Sequence, residues 1–308
     1  MRWLTDPLSL SFLQRALVGG LLAAVSSGVV GTWVVLRRIA FFGDALGHGI
    51  VPGVAAAALL GVAPPVGAAV GAGVMVVGVS RVSRLRRLGE DAGIGLLFVG
   101  MLALGIIIIS RSGTFAVDVT TLLFGAVMGV STADLWLAGA AAVTAVTAAV
   151  VGHRAFVALA FDPRSAAVAG LRPRATQTAL LGLVALTVVA SFQTVGALLV
   201  FALLIAPPAA SALVARRIPS MMALSVGLAS LAVTGGLLAS YHLDLATGGT
   251  IALWAVLQFF AVAAGRALVV RWRGAATRGP GRTTTPGDGP DALATPARSA
   301  TDEPTRTL

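Results

Sequence analysis

The 308-residue sequence has no cysteine, no lysine and one tyrosine, and only 11% of its residues are charged. The absence of cysteine excludes disulfides, thiolate metal sites and cysteine nucleophiles, and leaves the redox compartment undecided. The absence of lysine excludes the Gly-Lys-Ser/Thr phosphate loop of an ATPase, so any ATP that drives this chain is hydrolysed by a partner. The shortage of charge excludes an ordinary soluble domain, which carries about 25% charged residues. In its place stands apolar sequence: 57% hydrophobic residues and a mean hydropathy of +0.94. Long apolar runs of this kind define an all-α polytopic membrane protein. All positive charge is arginine, and the net charge is +10. The arginines fall between apolar runs, with no aromatic-interleaved basic surface, so they report topology and no nucleic-acid partner is expected. Asp6 and Pro7 interrupt the first residues, so no cleaved leader is expected there.

Along the chain, apolar spans are expected at about 12–36, 39–62, 66–79, 94–110, 122–151, 176–190, 195–214, 221–240 and 250–270. Eight or nine crossings fit. Pro64-Pro65 reads as a tight turn, Pro207-Pro208 as a break or kink inside the seventh span, and 241–249 as a loop. The residues 153–174 form the longest polar interruption, in which Asp162 can cap a short surface helix with Pro163 at its first position and Gly170 at its stop. His153, beside Arg154, reads as a solvated boundary residue. Most arginines follow the odd-numbered spans: Arg37-Arg38, Arg81 to Arg87, Arg154 to Arg174, Arg216-Arg217 and the tail. Positive-inside logic places the N-terminus outside and the C-terminus in the cytoplasm. Residues 1–270 therefore read as one transmembrane domain. Residues 271–308, rich in Gly, Pro, Thr and Arg, read as a disordered cytoplasmic tail.

One stretch carries chemistry. In Arg37-Arg38-Ile39-Ala40-Phe41-Phe42-Gly43-Asp44-Ala45-Leu46-Gly47-His48-Gly49, a carboxylate and an imidazole stand four residues apart inside an apolar run. On a helix Asp44 and His48 share a face. At ~1.5 Å rise per residue they lie roughly 9 and 15 Å beyond Arg38, deep in a ~30 Å hydrocarbon layer. Ionisable groups at that depth are costly and mark pathways. Oxygen plus nitrogen is also a partial ligand set for a divalent metal, although two residues leave most of the coordination shell to water, a second helix or a second subunit. The bland alternative is a hydrogen-bonded pair that only holds helices together. His242 and Asp244 read as parts of an ordinary polar loop.

The same stretch, with Pro52-Gly53 after it, resembles the signature of the membrane subunits of zinc, manganese and iron importers of the ABC type. Gly47 stands where a serine is usual. Further words follow in that family's order: Glu90-Asp91-Ala92-Gly93-Ile94-Gly95, Leu123-Phe124-Gly125, Phe161-Asp162-Pro163 to Gly170-Leu171, 193–207, and Ser240-Tyr241-His242 to Gly248-Gly249-Thr250-Ile251. Ala246 stands where a proline is common. The resemblance covers roughly Arg37 to Ile251. It implies a permease of the cell membrane in which Asp44 and His48 line the translocation path of a zinc, manganese or iron ion, with no permanently bound cofactor. It also implies that Phe161, Asp162, Pro163, Ala167 and Gly170 belong to a segment docking on a separate cytoplasmic ATPase. An extracellular metal-binding protein delivers the ion, and a homodimer completes the pore.

Two other transporters compete with this reading. A permease for siderophore or vitamin complexes gives no reason for the Asp44/His48 pair. An ion-coupled secondary carrier would use the pair as a proton relay and need no ATPase. An intramembrane enzyme is not expected. Phe41 stands at the first glycine of the Gly-x-Gly-Asp word of membrane aspartyl proteases, and neither a His-Glu-x-x-His nor a Gly-x-Ser-x-Gly motif occurs.

Overall fold

A computed structural model of the chain describes residues 10–82, 90–111, 130–161 and 170–277. Every regular element among them is helical. In chain order these are α1 (Ser11–Arg37), α2 (Ala40–Gly49), α3 (Val51–Leu59), α4 (Pro64–Val82), α5 (Glu90–Arg111), α6 (Thr132–Val151), α7 (His153–Phe161), α8 (Pro173–Val195), α9 (Ala197–Val214), α10 (Ile218–Leu243) and α11 (Thr247–Thr277). Counting α2 and α3 as one span, Ala40–Leu59, eight helices among the described residues are long and apolar enough to cross a bilayer, and α9 adds a shorter apolar one. The chain is a multi-pass membrane protein.

The first span is the centre of the bundle. Its apolar window is 72% buried, against 6% for the window of α11. Helix α1 packs against α6, α8, α9 and α10, and α2 packs against α5 and α9. The composition of α1 explains its place. Gly19, Gly20, Ala23, Ala24, Ser27 and Gly28 are buried along it, and small residues let helix backbones approach where lipid supplies no hydrophobic drive.

Several boundaries depart from the sequence reading. Pro64 and Pro65 open α4 and do not form the turn, because proline has no N–H to leave unbonded in a first helical turn. The turn lies one step earlier, at Gly61 with φ +66°. The loop expected over 241–249 shrinks to Asp244–Ala246, since α10 runs through Tyr241 and His242 and ends where Asp244 adopts φ +52°. Thr132 begins α6 behind a capping box in which Ser131 Oγ accepts from the Asp134 backbone N–H and the Asp134 carboxylate accepts from that of Ser131. The final helix continues past the composition change at Arg271 to Thr277. Residues 268–277 belong to a second unit, and the rest of the expected tail, 278–308, lies outside the described residues.

Pro207 and Pro208 were expected to break or kink the seventh span; α9 runs through them without a break. Proline removes the N–H that would bond the carbonyl four residues back, which for Pro208 is that of Leu204. Gly31 of α1 closes on that carbonyl: a Cβ there would collide with Leu204 O and the Pro208 ring. Ser211 Oγ donates to the Pro208 carbonyl at 2.8 Å. The neighbouring helix and a local hydroxyl thus support the proline turn, as membrane helices require. Gly31→Leu should therefore destabilise the chain by about 3 kcal/mol through overpacking. Gly227→Ala, where a Cβ meets nothing within 4 Å, should be neutral or stabilising by up to about 1 kcal/mol. Unfolding in detergent monitored by circular dichroism distinguishes the two.

Candidate functional site

Helix α1 ends in a tight reversal that sets where α2 begins. Arg38 adopts φ 59° and ψ 31°, and the N–H groups of Arg38 and Ile39 donate to the carbonyls of Val35 and Val34 at 3.1 Å each. This is a left-handed helix stop occupied by arginine in place of the usual glycine. Ala40 then starts α2, whose Phe42, Ala45 and Leu46 are 0% exposed and turn into the core. Gly43 lies against Leu204 of α9, and Gly49 against Met75 of α4. With that face committed, Asp44 and His48 fall on the other side.

The structure brings these two residues together as the spacing requires. His48 Nε2 lies 3.9 Å from Asp44 Oδ1, and their side chains are 35% and 36% exposed. At 3.9 Å the two are beyond hydrogen-bond range, so the pair does not close on itself. Both donors stay available to a third body. No group of three or more His, Asp, Glu or Cys that could hold a metal occurs among the described residues.

Pro52, in the first turn of α3, has no N–H to offer the His48 carbonyl four residues back. Ile50, between α2 and α3, nevertheless keeps helical dihedrals (φ −79°, ψ −19°), its N–H donates to the Leu46 carbonyl at 3.1 Å, and its carbonyl accepts from Val54 N–H at 3.0 Å. The two helices therefore continue as one apolar span, Ala40–Leu59, within the 39–62 expected from the sequence.

Phe98 was missed. It projects from α5 and meets the His48 ring edge-on at a centroid distance of 5.6 Å, and its own ring is met by that of Phe41 at 6.0 Å. Phe98 fixes one side of the imidazole and leaves the Asp44 side open. Only packing could reveal this, since 50 residues separate Phe98 from His48.

The expected docking segment is described at its ends alone. Phe161 is the last residue of α7 and is 73% exposed, and Gly170 holds φ +76° in the turn before α8. Asp162, Pro163 and Ala167 lie outside the described residues, as does the short helix expected from them. The residues just before them were read as polar interruption but form α7, with Phe156 and Leu159 buried. His153 is half-buried there, its ring 5.8 Å from that of Trp33. The rings of Tyr241 and His242 meet edge-on at 5.3 Å.

A carboxylate and an imidazole on one helical face within a bundle of apolar spans fit a polytopic transport protein, and comparison with known proteins gives the class. The ABC 3 transport family matches residues 9–266, and the chain belongs to that family. It is 34% identical over 271 residues to a manganese transport system membrane protein of Halalkalibacterium halodurans, covering 87% of this chain and 93% of that one. It is 33% identical to a chelated iron transport system membrane protein of Yersinia pestis, covering 84% and 87%. Among solved structures it resembles PsaBC from Streptococcus pneumoniae in complex with Fab, with a TM-score of 0.75, 28% identity and coverage of 85% and 94%.

The open geometry of the pair predicts small stability effects there. Asp44→Asn and His48→Gln should each change unfolding free energy by less than about 1 kcal/mol, as expected of a half-exposed pair. Phe42→Ala on the buried face should cost about 3–5 kcal/mol. A loss of several kcal/mol from either polar substitution would show that the pair holds the helices together.

Proposed function

We propose that this chain is the membrane-spanning half of an ATP-driven importer of a divalent first-row metal ion, with manganese or iron as cargo and Asp44 and His48 as donors along its path. The observation that carries the reading is the pair itself: two metal-capable side chains on one helical face, half-open and not hydrogen-bonded to each other. Relatives that transport manganese and iron by name support the class of cargo. Zinc suits the same donors, since oxygen and nitrogen ligands do not separate these ions by affinity alone.

The mechanism follows from what two donors can do. An ionised carboxylate and a neutral imidazole replace part of the hydration shell of the ion and lower its cost of entering a low-dielectric region. Two protein ligands hold it weakly enough to release. A second copy of the chain, facing the first, would close the pore, and water would fill the remaining coordination positions. A separate cytoplasmic ATPase dimer supplies the work through the segment from Phe161 to Gly170, and an extracellular binding protein supplies the ion. The chain itself catalyses no reaction.

Two hydrogen bonds support the expected sidedness. Arg37 at the end of α1 reaches α7, and Thr178 near the start of α8 meets Ser80 near the end of α4 at 3.4 Å. Arginine-rich helix ends therefore gather on one side, the side expected to face the cytoplasm. Because the chain has no native cysteine, single-cysteine variants report this cleanly. Val62→Cys should react with an impermeant maleimide in intact cells, and Ser220→Cys only after permeabilisation. The reverse pattern would invert the topology.

In vesicles containing the permease, its ATPase and its binding protein, Asp44→Ala and His48→Ala should each reduce ATP-dependent Mn²⁺ uptake by about ten-fold or more. ATP hydrolysis should persist. Unchanged uptake in both would remove the pair from the path. Uptake driven by a proton gradient without the ATPase would establish the secondary-carrier reading.

A further inference from the structure

A contact between distant segments joins the corner that aims the site to the helix that leads into the docking segment. Arg37 Nη1 donates to the backbone carbonyl of Leu159 at 2.7 Å, across 122 residues. Leu159 lies two residues before Phe161, and Pro163, four residues on in the sequence, has no N–H to give its carbonyl. The guanidinium supplies the donor that the proline lacks. No carboxylate pairs with Arg37 among the described residues, and its Nε is buried without a partner. The arginine is thus committed to the end of α7.

One turn earlier on α1, Trp33 is 0% exposed and lies between two rings of α7, those of His153 at 5.8 Å and Phe156 at 5.4 Å. Phe156 is in turn packed against Gly152, where a Cβ would strike its ring and the Ala148 carbonyl. Helix α7 is held to α1 at both ends, by aromatic contact at its start and by the arginine at its finish. Only Arg38 and Ile39 separate that arginine from α2, and their reversal is pinned to Val34 and Val35.

We propose that Arg37 and Trp33 clamp α7 to the α1–α2 corner, so that movement of the segment following Phe161 is delivered to the helix carrying Asp44 and His48. Arg37 is a positioning residue, and it touches no ion. The proposal rests on the importer reading above and adds the element that transmits the stroke. Without the clamp, α7 can shift while α2 stays, and ATP is hydrolysed without moving metal.

The test has two arms on the full-length chain. In nanodiscs, hydrogen exchange over 153–161 should quicken in Arg37→Ala, while exchange over 218–243 stays as in wild type. In vesicles with the ATPase and binding protein, the Mn²⁺ imported per ATP hydrolysed should fall about five-fold or more in Arg37→Ala and recover in part in Arg37→Lys, whose ammonium can still reach a carbonyl. Fewer folded molecules would lower uptake and hydrolysis together and leave that ratio fixed. Exchange unchanged over 153–161 would overturn the clamp, and an unchanged ratio would overturn its role in coupling. If wild type shows no ATP-driven Mn²⁺ uptake, the importer reading fails and the coupling role with it, while the exchange arm still decides the clamp.

Discussion

Hydrocarbon offers nothing that can bond a carbonyl or solvate a charge, and this constraint organises the molecule. Where the backbone is regular, helices satisfy it alone, and the chain needs only small residues to bring them close. The departures are few and local. At Pro208 the unbonded Leu204 carbonyl is covered by Gly31 of the most buried helix. At Pro52 the missing N–H leaves the His48 carbonyl without its helical donor, while Ile50 keeps helical dihedrals. The first departure is closed by packing, and the second stands beside two polar side chains that stay half-open.

The same economy governs the charged end of the bundle. Arg37 and Arg38 are adjacent yet serve opposite purposes. Arg38 is exposed and takes the left-handed conformation that turns the chain toward α2, while Arg37 reaches a helix end 122 residues away. Between them they fix the angle at which the Asp44/His48 helix leaves α1 and the surface against which α7 rests. The start of the Asp44/His48 helix and the contact with α7 therefore meet within a few residues.

Much of this was legible in the sequence because the signals were local. Composition and run length give the membrane class, and a spacing of four puts Asp44 and His48 on one face. The failures came from proline and from packing. Pro64-Pro65 signals a helix start as readily as a turn, and Pro207-Pro208 can be accommodated by a glycine on another helix that periodicity does not connect to it. Helix α7 was read as polar because His153 and Arg154 open it, although Phe156 and Leu159 recur at helical spacing. The contacts of Phe98 with His48 and of Arg37 with Leu159 have no sequence signature, since each joins residues far apart in the chain.

The central claim is that a divalent ion touches His48 and Asp44 on its way through. Pulsed electron paramagnetic resonance of Mn²⁺ bound to the full-length chain in nanodiscs tests it most directly, because the chain has only three histidines. The account predicts an imidazole nitrogen coupling that disappears in His48→Ala and survives in His153→Ala and His242→Ala. A spectrum of water ligands alone, or a nitrogen coupling that persists in His48→Ala, would contradict it.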